Sequence, residues 1–81
     1  MENPIIKIRK KHNLERKELA HIAGIPYDAV FRTEKGLVQH PHEKIIKALN
    51  QLGHDPEEIN SKYNKYIQHL REKALEKAQV K

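Results

Sequence analysis

The sequence predicts a small all-α protein of five helices, the last of them extended, and three observations carry that expectation. Four prolines stand at 4, 26, 41 and 56, each at the head of a stretch with apolar residues at helical spacing, and proline is favoured at the first helical position. Three glycines, Gly24, Gly36 and Gly53, each follow such a stretch, where a left-handed residue lets the chain leave a helix. With 37% apolar and 33% charged residues in 81, the chain affords one small core, which amphipathic helices can supply from a single stripe each.

The elements follow in order. A first helix over about 4–12 is opened by Asn3 as N-cap and closed by Asn13, with Ile5 and Ile8 on one face. A second, over about 15–23, carries Leu19 and Ala23 and ends at Gly24. The third, 26–35, turns Ala29 and Val30 inward, and the fourth, 41–52, has the stripe Ile45, Ala48, Leu49 and Leu52. The fifth, 56–79, begins at Asp55, which forms an Asp-x-x-Glu capping box with Glu58. Leu14, Ile25, Val30 and Ile59 complete the expected core, while Tyr27, Phe31, Tyr63 and Tyr66 lie off the stripes and are expected to serve surfaces. Residues 1–59 read as one domain and 60–81 as a helical extension, so a chain ended at Ser61 is expected to stay folded.

Composition removes several classes of function. There is no Cys, which excludes disulfides, thiolate catalysis and Cys-based zinc sites. No apolar run approaches the roughly 20 residues of a membrane span, and the N-terminus lacks a signal peptide's apolar stretch; a cytoplasmic protein is expected. Six histidines are many, but His40, His42 and His54 lack the spacing and carboxylate support of a metal site and read as surface or capping residues. No metal and no cofactor are expected. So short a helical core is filled by its own side chains and leaves no cavity for a catalytic triad or a phosphate-cradling loop, and a non-enzyme is expected. Sixteen Lys/Arg against eleven Asp/Glu give a net charge of +5 and a pI near 9.6, which makes polyanions plausible partners.

From Arg16 the chain reads RKELAHIAGIPYDAVFRTEKG. Leu19 and Ala23 anchor one helix, Ala20 is small where two helices cross, Gly24 can take the positive φ of a tight turn, and Ile25 and Val30 lock the next helix. This string resembles the helix-turn-helix of the Cro/repressor family, the lambda-repressor-like or XRE family of bacterial and phage DNA-binding domains. The resemblance covers about residues 4–59. It implies a structural pair between Arg9 and Glu34, a recognition helix over 26–35 set in the major groove, and a backbone contact from the start of the second helix at Arg16.

The outward residues of that recognition helix are Tyr27, Asp28, Phe31, Arg32 and Lys35, and with Arg16 and Lys17 they make the expected DNA-binding set. Arginine forks onto guanine, Phe31 can touch thymine methyls, and Asp28 reads either as a cytosine acceptor or as a helix-start carboxylate. Lys10 and Lys11 belong to a basic run that begins at Lys7 and adds candidate phosphate contacts. The sequence departs from the family at several points. Arg16 stands where glutamine is usual, Glu15 and Pro26 replace capping residues, and Thr33 replaces a buried Ile or Leu. Leu37 and Val38 occupy a loop that often carries cations.

After Asp55, the residues Ile59, Tyr63, Tyr66, Leu70 and Ala74 recur at spacings of four, three, four and four, with Ile67 beside them. Such a narrow seam suits a second helix, and Tyr63, Tyr66, Ile67, Leu70 and Ala74 are expected to form a homodimer; the competing expectations are a fold-back on the same domain and an interface at Leu37 and Val38. The resemblance implies transcription regulation, as a repressor that binds a palindromic operator in double-stranded DNA. The apolar Leu37, Val38, Tyr27 and Phe31 favour the alternative, a protein-interaction module such as an antitoxin or antirepressor.

Overall fold

Asn3 opens the first helix, α1 (Pro4–Lys11), by accepting the amide of Ile5 at 2.9 Å, and Asn13 leaves it in the left-handed region at φ 60°. The computed structural model describes residues 1–79; residues 80 and 81, the end of the expected extension, lie outside the described residues. Helix α2 (Arg16–Ala23) starts at Glu15, whose amide donates to the Glu18 carboxylate at 2.8 Å. An acidic capping arrangement thus takes the place of the usual hydroxyl. Gly24, at φ 70°, closes α2, and Ile25 and Pro26 complete the turn into α3 (Tyr27–Glu34).

Helix α4 (Glu43–Gln51) begins two residues later than the proline at 41 suggests, because His42 is the N-cap and its Nδ1 accepts the Lys44 amide at 3.0 Å. Helix α5 (Pro56–Gln79) runs without a break through the expected domain boundary at 59/60. Half of its capping box forms. The Glu58 amide donates to Asp55 at 3.3 Å, while the Glu58 carboxylate turns to Lys62 at 2.8 Å.

Helix α2 packs on α3 and α4, and α5 lies across α1 and α4. Between them sit Ile5, Leu19, Ala20, Val30, Ile45, Ala48, Leu49 and Ile59, joined by Tyr63, with Ile8, Ala23, Ile25, Leu52 and Ile67 packed around them. The fold is an all-α helix-turn-helix domain with a long C-terminal helix. Among the described residues no helix is long and apolar enough to cross a membrane.

Tyr63 corrects the expectation that every aromatic serves a surface. It is fully buried, and its hydroxyl donates to the Val38 carbonyl at 2.8 Å, with the Thr33 carbonyl at 3.3 Å. A buried tyrosine is stable where its hydroxyl finds a partner, and the end of α3 and the loop after it supply one. Burial pushes its ionisation up to about 12, so it remains a donor at physiological pH.

Candidate functional site

The last residue of α3 organises the site. Glu34 has its carboxylate out of solvent, and a buried charge is tolerated only when paired and hydrogen-bonded. Arg9 of α1 meets it with two nitrogens, Nε at 2.6 Å and Nη2 at 3.0 Å, and uses Nη1 on the Leu14 carbonyl at 2.8 Å. This fork is the bidentate geometry that arginine supplies and lysine cannot. Arg16 of α2 adds a third bond, Nε to Glu34 Oε1 at 2.8 Å. One carboxylate therefore ties together the three helices of the motif. Its hydrogen bond raises the already high pKa of Arg16 further.

On the other side of α3, Tyr27, Asp28, Arg32 and Lys35 are exposed and Phe31 is half-buried, while Val30, Thr33 and Glu34 face the interior. Thr33, where the family places an aliphatic residue, satisfies its hydroxyl on the Ala29 carbonyl at 2.9 Å. The Arg16 guanidinium lies 5.3 Å from the centre of the Phe31 ring and Lys35 Nζ lies 5.6 Å from it. Arg16 Nη1 also approaches the Tyr27 hydroxyl at 3.4 Å. Lys17 is exposed, 3.6 Å from Glu15. The arrangement presents cations and hydrogen-bond donors on a helix whose seating is fixed by Glu34.

The residues assigned to a dimer seam are not brought together on a free face. Tyr63 is core. Tyr66, Ile67 and Leu70 fold over the loop at Gly36: a Cβ built on that glycine would lie 2.7 Å from Leu70 Cδ1, 3.2 Å from Tyr66 Cε2 and 3.7 Å from Ile67 Cδ1. Gly36 also sits at φ 71°, so both its backbone and its lack of a side chain admit the helix. Of the seam, Ala74 is left exposed, in a stretch from Arg71 to Gln79 that is exposed throughout. In the α3–α4 loop Leu37 is 63% exposed, whereas Val38 packs against the core.

Two features escaped the sequence reading. The Asn3 side chain, besides capping α1, donates to the carbonyls of Thr33 and Glu34 at 3.0 and 3.1 Å. Its capping role was legible, but its reach across to the end of α3 had no sequence signal. His54 does not gather with His40 and His42; its Nε2 shares a 2.8 Å hydrogen bond with Nε2 of His12, the rings meeting edge to face. One ring donates and the other accepts. Burial, with His12 and Lys11 nearby, lowers the His54 pKa.

The fold and this site define a helix-turn-helix protein with a basic outward helix face. Among curated proteins, the chain is similar to the antitoxin MqsA of Escherichia coli (strain K12), with 45% identity over 56 residues. The match covers 69% of this chain and 42% of that protein, so the chain spans less than half the length of the relative it matches. No protein-family model and no solved structure matches the chain.

Proposed function

We propose that this protein is a sequence-specific DNA-binding regulator, a repressor that lays α3 in the major groove of a palindromic operator and acts by binding, without catalysis. The observation that carries this reading is the outward face of α3. Tyr27, Asp28 and Arg32 stand exposed on a helix whose opposite face is fixed by Val30, Thr33 and Glu34, and Lys35, its C-cap, is exposed at its end. Arg32 is the residue best suited to fork onto a guanine, since its side chain is free of the ion pairs that hold Arg9 and Arg16. A two-fold operator requires two copies with recognition helices roughly 34 Å apart. Exposed apolar residues open to that pairing include Leu37 and, beyond Leu70 on α5, Leu75.

A second reading, an antitoxin-type module that binds another protein, draws support from the antitoxin relative and from the exposed apolar residues Ile22, Tyr27 and Leu37. The two readings separate by salt. If the cations of α3 and Arg16 neutralise phosphates, the logarithm of duplex affinity falls linearly with the logarithm of salt concentration. Fluorescence anisotropy with labelled duplex between low and physiological salt measures it, and an affinity that ignores salt counts against DNA as the main partner.

A further inference from the structure

We infer that the trough between α1 and the first half of α5 is a binding site for a small amphiphile carrying one negative charge, a medium-chain carboxylate in its simplest form. The trough encloses about 540 Å³, within the range of small-molecule sites. Its floor is apolar: Pro4 and Ile8 from α1 and Ile59 from α5 line it, with Met1, 68% exposed, at one end. At the other end Gly53 keeps the wall open, since a Cβ built there would meet no atom within 4 Å.

The charges around that floor set the class of ligand. Four lysines line the trough, Lys7 and Lys11 one turn apart on α1 and Lys62 and Lys65 on α5. Three carboxylates, those of Glu2, Asp55 and Glu58, line it too. Two of the three are engaged: Asp55 accepts the Glu58 amide at 3.3 Å, and Glu58 holds Lys62 at 2.8 Å. Among the described residues Lys7, Lys11 and Lys65 make no ion pair. The set as a whole carries one positive charge more than negative ones, which balances a single anion, whereas a polyanion would meet the three carboxylates unmatched.

Lys7 and Lys11 are exposed on the face of α1 that also carries Ile8. A carboxylate held between them lays its tail over Ile8 and Ile59 toward Pro4 and Met1. An inorganic anion would leave that floor to water, and a purely apolar molecule would leave the lysines unmatched, so the site rewards both parts joined in one ligand. Neither Arg16 and Lys17 nor the outward residues of α3 line the trough. The inference thus goes beyond the DNA-binding reading, and either one can fail alone.

The test titrates decanoate, below its micelle concentration at neutral pH, into the full chain and follows the isoleucine methyl signals by NMR. Ile8 and Ile59 should shift along a saturable curve, while Ile22, exposed on α2 and outside the trough, stays still. Octanoate should bind more weakly by about three- to fourfold per methylene removed. The double variant Lys7→Gln, Lys11→Gln changes two exposed side chains and leaves the core intact; it should weaken decanoate by about two- to fivefold for each charge lost, the range of an exposed ion pair. Decyltrimethylammonium, with the same tail and the opposite charge, should bind several-fold more weakly than decanoate, and inorganic phosphate should leave both isoleucines unmoved. No shift at Ile8 and Ile59, an equal shift at Ile22, equal binding of the cationic amphiphile, or a double variant that binds decanoate like wild type would each overturn the inference. Shifts produced by phosphate as readily as by decanoate would mark a simple anion site and overturn it as well.

Discussion

Glu34 shows how one side chain can hold a motif. Isolated in the interior, its charge would cost several kcal/mol, and Arg9 and Arg16 offset that cost from two other helices. Removing it strands the largely buried Arg9, so Glu34→Ala is expected to destabilise the fold by about 3–5 kcal/mol. Urea unfolding followed by circular dichroism measures this, and a loss below about 1 kcal/mol, the value of a surface pair, would contradict the geometry. The Arg9 contact was legible through the family resemblance. The Arg16 contact was not, because position 16 reads as an outward residue and only the folded crossing of α2 with α3 brings it to the same carboxylate. His54 gives a second test at this scale. Its folded pKa lies below the ordinary 6.5, so the unfolded chain binds the proton more readily. The stability that His54 contributes is therefore present above about pH 6.5 and is lost as pH falls through the lower folded value. Thermal melts at pH 7.5 and 5 should show a smaller acid-induced drop for His54→Gln than for wild type; equal drops would mean that the burial of His54, with His12 and Lys11 nearby, carries no linkage.

Helix α5 is the element whose length the sequence marks and whose packing it does not. Prolines, glycines and caps mark all five helices within a few residues of their ends, since those signals are local. The partner of an apolar seam is not local. Spacings of four and three look the same whether the helix meets a second copy or its own domain, and here Gly36 opens a surface on which Tyr66, Ile67 and Leu70 settle. Tyr63 is misread for the same reason, because its buried hydroxyl depends on the Val38 carbonyl 25 residues earlier. A chain ended at Ser61 therefore loses part of the core, at a cost on the scale of large-to-small aromatic substitutions, about 3–5 kcal/mol. A chain ended at Arg71 keeps every buried contact of the helix. Thermal melts should show the first chain unfolded or strongly destabilised and the second close to wild type. If the shorter chain melts cooperatively at the wild-type temperature, α5 does not brace the domain.

At the scale of the molecule, a helical body with principal extents of 45 × 23 × 21 Å carries a net charge of +5, with α3 offering its polar face outward and the end of α5 exposed. The internal ties of Asn3, Tyr63 and Glu34 all converge on the C-terminal end of α3, which holds the orientation of that helix from several sides. Such rigidity suits a helix that must meet a rigid groove in one register. The most direct test is a selection of bound sequences from random duplex DNA by the full chain, repeated with Arg32→Ala. The account predicts enrichment of one site made of inverted half-sites, with Arg32→Ala costing about 1–3 kcal/mol and relaxing the choice at one base pair per half-site. A pool that remains random after repeated rounds would contradict it and leave the protein-binding reading in its place.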